Sequence, residues 1–351
     1  MNIHTYINNF LLMKEYIKAL VENADTNNIP KEELNVIFDG GVFNGVMAAG
    51  IALYIKTLEQ QQKIKINKIS GCSAGALIAL WFICGCKESS IHYLEKLIKN
   101  FKEDFNFSQL KNLLHDFVND LFANNLITTS TTTTSTSTST STTTTSKMNN
   151  DNKKDTKDTK DNTKNMLTIL NNRLFINYYD TQEHKQIIVS TYNTKEEIVQ
   201  SLMRSCFIPY IMDGNARCDE RYMDGMVPYL FKDNCETLFV KLVTFNKCSR
   251  ALVLKSEANI HFRLITGVTD ANNFFTTGHS DMCLYIKNRS YYDILFFRGR
   301  EISAITLFTF IEWMFILKKY LPATLTNSFL YNRIIQVVKG IILDIAERIM
   351  I

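Results

Sequence analysis

The sequence predicts an α/β fold on a parallel central sheet, and three observations carry the prediction. The apolar run Leu34-Asn35-Val36-Ile37-Phe38 ends in Asp39-Gly40-Gly41, as a strand entering a glycine loop does. Helical spacing then resumes from Gly45 through Val46, Ala49, Leu53 and Leu58. Ile64, Ile66 and Ile69 mark a second strand, which runs into Gly71-Cys72-Ser73-Ala74-Gly75 and at once into the apolar stretch Ala76–Trp81. Strand, sharp turn and helix form the setting of a nucleophile elbow. Its serine has strained backbone angles, so Gly71 and Gly75 supply the room, and the hydroxyl is pushed out above the sheet edge.

The remaining elements follow in order. Residues 1–33 read as an N-terminal helical segment, with an amphipathic helix from about Thr5 to Glu22. Helical stretches are expected around Ser90–Lys102 and Ser108–Leu126. From Thr128 to Ser146 the chain is only serine and threonine, followed by a lysine, aspartate and asparagine run to Lys164. Nothing there offsets the entropy of ordering, so 128–165 is expected to be disordered, as an insert within one domain spanning 34–300. Strands are predicted at Arg173–Tyr179 and Gln186–Tyr192, joined by a turn at Asp180–Glu183. Thr194 and Glu197 open a helix as a capping box. Asp224-Gly225 follows the strand-like Tyr222-Met223, and further strands are expected at Thr237–Phe245 and His261–Val268. Residues 301–351 read as C-terminal helices. The apolar run Ile302–Leu317 is shorter than the ~20 residues that span a bilayer. A stripe of Ile334, Ile335, Val338, Ile341, Ile342 and Ile345 is expected to pack on the domain.

Composition narrows the function. With 46% hydrophobic residues, the 351-residue chain is that of an ordinary globular protein. A net charge of +4 over this length gives no electrostatic reason to bind nucleic acid. The 8 cysteines show no regular framework, and the N-terminus lacks the basic start and unbroken apolar run of a secretory signal; reduced thiols and a cytoplasmic location are expected. Cys84-Gly85-Cys86 has no second pair at ligand spacing and the 6 histidines do not cluster, so no metal is expected.

A serine nucleophile needs a base and a place for an oxyanion. The loop Asp39–Gly45 can aim successive backbone amides at a negative oxygen, and its glycine spacing matches neither a phosphate-binding loop nor a dinucleotide fingerprint. Asp224, ahead of Gly225, is placed to present a carboxylate at a sheet edge.

In chain order, Phe38-Asp39-Gly40-Gly41-Val42-Phe43-Asn44-Gly45, Gly71-Cys72-Ser73-Ala74-Gly75, Ser205-Cys206-Phe207-Ile208-Pro209 and Asp224-Gly225 resemble the oxyanion loop, elbow, pre-acid segment and Asp-Gly motif of the patatin-like phospholipase family. The likeness covers about residues 34–230. It implies a three-layer α/β/α fold with a mostly parallel central sheet, patatin-like, plus N- and C-terminal helices. It also implies a Ser73–Asp224 dyad, with Ser73 as nucleophile and Asp224 as base, and an oxyanion hole from the amides of Gly40, Gly41 and Val42. No cofactor is implied. The implied partner is a phospholipid or other lipid ester, met at a membrane face by peripheral contact. Val42 stands where the family has a third glycine, which requires its backbone to stay at negative φ; Asn44 stands where the family has a basic residue. Phe43, Cys206 and Phe207 are expected to shape an acyl site. Two other readings fit the sequence: a Ser-His-Asp esterase using His261 or His279, and a non-catalytic lipid-binding protein on the same fold.

Overall fold

The computed structural model describes residues 3–24, 28–30, 32–104, 107–123, 154–209, 212–243, 260–288 and 291–320, with a few isolated positions between 322 and 337. The stripe from Ile334 to Ile345 and the serine/threonine tract lie outside the described residues. Nine α-helices are described: α1 (Ile3–Glu22), α2 (Gly45–Gln60), α3 (Ala74–Ile83), α4 (Ile91–Asp104), α5 (Leu110–Ala123), α6 (Lys154–Leu170), α7 (Lys195–Ser205), α8 (His261–Thr277) and α9 (Tyr291–Tyr320). The strands are β1 (Glu33–Phe38), β2 (Lys65–Gly71), β3 (Leu174–Asp180), β4 (Lys185–Val189), β5 (Tyr222–Asp224), β6 (Glu236–Val240) and β7 (Cys283–Tyr285).

They form a seven-stranded sheet ordered β4-β3-β2-β1-β6-β7, with β5 paired to β3. The central β3-β2-β1-β6 run is parallel, and β4, β5 and β7 add antiparallel edges. The sheet is therefore mostly parallel, as the sequence predicts.

Burial on both faces explains the near-continuous apolar strands. On β1, Leu34, Val36 and Phe38 point into the large core that holds α2, α3 and α8. Ile37 points the other way, into a smaller cluster with Val227, Phe239 and Phe297 of α9. Helix α9 thus covers the second face and makes the third layer, with Phe239 and Phe297 meeting edge-on at 5.8 Å.

Helices α2 and α8 cross at two glycines. A Cβ on Gly50 would lie 2.0 Å from the Leu264 carbonyl oxygen, and one on Gly267 would lie 2.0 Å from that of Met47. Only glycine permits backbones that close.

The structure corrects three expectations. Residues 261–268 begin α8, not a strand: Leu264, Val268, Ala271 and Phe275 are buried at helical spacing while Phe262 and Ile265 are exposed. Helix α6 begins at Lys154, so the end of the stretch expected to be disordered is helical. Helix α9 runs unbroken through residue 300, where the sequence reading places a domain boundary.

Candidate active site

The register of β3 builds the site. Its residue Ile176 pairs with Gly71, the last residue of β2, and Tyr178 pairs with Asp224, the last residue of β5. Since β4 occupies 176–180 from the opposite edge, β5 must lie on the β2 edge, end-on to it. The elbow and the acid turn therefore leave β3 only two residues apart, about 7 Å along the strand.

Beyond β2 the chain turns sharply into α3. Ser73 has φ 52 and ψ −132, a conformation that side chains rarely adopt. The Gly75 amide donates to the Cys72 carbonyl and the Ala76 amide to that of Ser73, closing the turn at 2.8 and 2.9 Å. Glycine is compulsory on both sides. A Cβ at Gly71 would lie 2.3 Å from the Gly75 carbonyl oxygen, and one at Gly75 would lie 2.4 Å from that of Phe38.

Ser205, fully buried at the end of α7, accepts a hydrogen bond from the Ser73 amide at 2.9 Å and donates to the Asn177 carbonyl at 2.8 Å. One hydroxyl thus ties the elbow to β3. Ser205 opens the segment that the sequence singles out, but its bridge is not visible there.

The Asp224 carboxylate is buried on the Ser73 side of the sheet edge, close enough for the Ser73 side chain to favour its charged form. Burial pushes the Asp224 pKa up from 3.8 to about 6, against the opposing pull of Ser73, the Met226 amide and Arg300. The Met226 amide donates to Asp224 Oδ1 at 2.7 Å, and the Asp224 amide donates to the Phe207 carbonyl at 3.0 Å. No histidine is among the groups that act on Asp224. His261 opens α8 and His279 lies exposed beyond it.

The loop after β1 lies beside the elbow. A Cβ on Gly40 would stand 3.3 Å from that of Ser73. Gly40 lies against the Cys72 thiol, 3.2 Å from where its Cβ would stand, while Gly41 and Val42 lead through a single 3₁₀ turn into the N-terminus of α2. That end of a helix favours developing negative charge. Val42 has φ 45, the left-handed region, contrary to the negative φ the sequence reading required of it. The chain holds a β-branched residue in a glycine-like conformation there, at a strain cost of order 1–3 kcal/mol.

Asn44 is buried. It donates from Nδ2 to the Leu242 carbonyl at 3.0 Å and accepts from Arg263 Nη1 at 3.3 Å. It anchors the loop rather than presenting charge. The cation comes from elsewhere: Arg300 of α9 holds Asp39 through two 2.7 Å bonds and donates to the Met226 carbonyl at 3.1 Å. Sequence reasoning missed Arg300, since nothing in the sequence distinguishes it from its neighbour Arg298, which pairs with Glu301 on the same helix.

Ser73 opens into an apolar slot of about 50 Å³, walled by Val42, Phe43, Leu77, Phe107 and Cys206 among others. Phe43 and Cys206 therefore line it as expected. Phe207 does not; it lies on the far side, against a separate cleft. Among the described residues no cluster of three or more His, Cys, Asp or Glu could hold a metal ion, and no helix is long and apolar enough to cross a membrane.

With this geometry in view, comparison with known proteins adds one match: the patatin-like phospholipase model fits residues 36–231, more than half of the chain. The chain belongs to the patatin-like phospholipase family. That family places it among lipid acyl hydrolases, and the matched span runs from β1 past the Asp224 turn. No curated protein matches this patatin-like phospholipase.

Proposed function

We propose that this patatin-like phospholipase hydrolyses fatty-acyl esters of lipids through a Ser73–Asp224 dyad and an acyl-enzyme. The observation that carries the reading is that β3 brings the Ser73 elbow and the Asp224 turn within two residues of each other, with Asp224 a buried carboxylate whose pKa of about 6 suits a base working near neutral pH. As Ser73 Oγ attacks the ester carbonyl carbon, its proton passes to Asp224 and the carbonyl oxygen becomes an oxyanion. The amides of Gly40, Gly41 and Val42 stabilise that charge; one such donor is worth about 10²–10³ in rate. Collapse expels the alcohol, which takes the proton from Asp224. Water then attacks the acyl-enzyme, gives a proton to Asp224, and the fatty acid leaves as Ser73 recovers its hydrogen.

The strained backbone at Ser73 and Val42 supports this reading, since strain of that kind persists where function needs it. The dyad needs no cofactor, and the apolar slot over Ser73 suits an acyl chain. Contact with substrate is at a membrane face, by peripheral association from the cytoplasm. The test is labelling by a fluorophosphonate together with hydrolysis of acyl esters. Labelling is expected to disappear in Ser73→Ala, and hydrolysis to fall at least about 10³-fold in Ser73→Ala and Asp224→Asn. Parent-like hydrolysis by Ser73→Ala overturns the proposal, and lipid binding without labelling of the parent assigns the fold to a non-catalytic role.

A further inference from the structure

We propose that Arg263 is a positioning residue for the reaction: acting through Asn44, it sets the direction of the Val42 amide, one of the amides assigned above to the oxyanion. The proposal rests on the hydrolase reading and adds a residue from outside both the loop and the dyad.

The chain of contacts starts in α8. Arg263 lies in the first turn of that helix and is fully buried. The close crossing of α2 and α8 fixes its place. Gly267 meets the Met47 carbonyl in the first turn of α2, and Arg263 stands one helical turn before Gly267 on the same face. The arginine is thereby held level with the start of α2, where its Nη1 donates to Asn44 Oδ1 at 3.3 Å. Both ends of the Asn44 side-chain amide are used, since Nδ2 donates to the Leu242 carbonyl at 3.0 Å. A donor and an acceptor on one planar group, each with a partner, fix its orientation from two sides.

The Asn44 backbone amide in turn donates to the Gly41 carbonyl at 2.9 Å. That carbonyl and the Val42 N–H belong to one planar trans peptide, so they point in opposite directions. Whatever holds the Gly41 oxygen therefore aims the Val42 hydrogen. Val42 needs such a hold, because at φ 45 a β-branched residue stays only where its surroundings impose the conformation. Burying a guanidinium is a costly way to fill space, and an apolar side chain of similar size stabilises at least as well. What the planar fork adds is a fixed direction. An oxyanion donor depends on direction for its effect.

The test compares an ester with its thionoester, in which sulfur replaces the carbonyl oxygen. Sulfur is a weak acceptor, so the ratio of kcat/KM for ester over thionoester reads the oxyanion donors. A loss of folded protein or a displaced Ser73 lowers both rates alike and leaves the ratio unchanged. Arg263→Met keeps the stem and removes the donors. It is expected to lower kcat for the ester about 30-fold with KM within about twofold, and the ratio about tenfold. Arg263→Lys keeps the charge without the fork and is expected to lower the ratio about threefold. Because the two residues act in series, adding Arg263→Met to Asn44→Ala should lower the ratio no further than Asn44→Ala alone. A parent-like ratio in folded Arg263→Met, or losses that multiply in the double variant, overturns the proposal. Should Arg263→Met not fold, the ratio in Arg263→Lys decides in the same way. A parent that hydrolyses neither compound and is not labelled at Ser73 by a fluorophosphonate overturns the hydrolase reading and the proposal together.

Discussion

Arg300 holds both carboxylate oxygens of Asp39, each at 2.7 Å, across the face of the sheet that α9 covers. Both side chains are largely out of water. A bidentate pair of this kind fixes orientation as well as charge. Here it orients the residue directly before Gly40, and through the Met226 carbonyl it also reaches the turn that carries Asp224. The C-terminal helix is thereby part of the site.

Removing Arg300 should show in stability and in pH dependence. Arg300→Ala leaves the Asp39 carboxylate buried without its partner, a change that costs about 3–5 kcal/mol when a buried pair is broken. Arg300 also lowers the Asp224 pKa, so its loss should raise that pKa further. In the proposed dyad Asp224 acts deprotonated, so the acid limb of the kcat/KM profile should move to higher pH. Arg300→Lys keeps the charge and loses the fork, and should fall between parent and Arg300→Ala in both measurements.

Asp224 should be a stability liability above acid pH. Its folded pKa of about 6 exceeds the ordinary 3.8, so the folded state holds the proton more tightly. Stability is then lost as pH rises from about 4 to about 6 and stays lost above, to a total of about 3 kcal/mol. Asp224→Asn should therefore abolish hydrolysis while raising the thermal midpoint at pH 7, and the gain should vanish near pH 4. A midpoint at pH 7 equal to or below the parent's contradicts the assignment of a desolvated carboxylate.

Ser205→Ala should separate positioning from binding. Two buried backbone groups, the Ser73 amide and the Asn177 carbonyl, lose their shared partner, at about 1–3 kcal/mol. The elbow is then free to tilt. A fall in kcat of about tenfold with little change in KM is expected, and a parent-like kcat shows that the elbow holds its own geometry.

Val42→Gly should stabilise the protein. Relief of strain at φ 45 is worth about 1–3 kcal/mol, against about 0.5–1 kcal/mol of extra chain entropy in the unfolded state. A net gain of about 1 kcal/mol is expected in denaturant unfolding. A loss instead means that side-chain packing in the slot outweighs the backbone strain.

What the sequence revealed of this fold is what short-range geometry imposes. The elbow was legible because Gly71 and Gly75 flank a turn with room for nothing larger, and the strand before it and helix after it carry their own periodicities. The capping box was legible for the same reason: Thr194 accepts from the Glu197 amide at 3.1 Å, and the Glu197 carboxylate accepts from the Asn193 amide at 2.8 Å. The Ser205 bridge spans 132 residues and the Arg300 pair 261, so no local pattern encodes either. The segment from His261 was misread because a short apolar run fits strand and helix alike. Its buried Arg263, fully enclosed against Asn44, further masked the helical stripe. The left-handed Val42 was misjudged from steric preference, which the surrounding loop overrides.

Both groups of the proposed dyad hang from one edge of β3, through Gly71 on Ile176 and Asp224 on Tyr178. Their separation is thus a ruler two residues long, and breathing of the helical layers leaves it unaltered. The same economy concentrates the risk: slippage of β3 by a single position would swap its side chains between faces and unseat hydroxyl and carboxylate together.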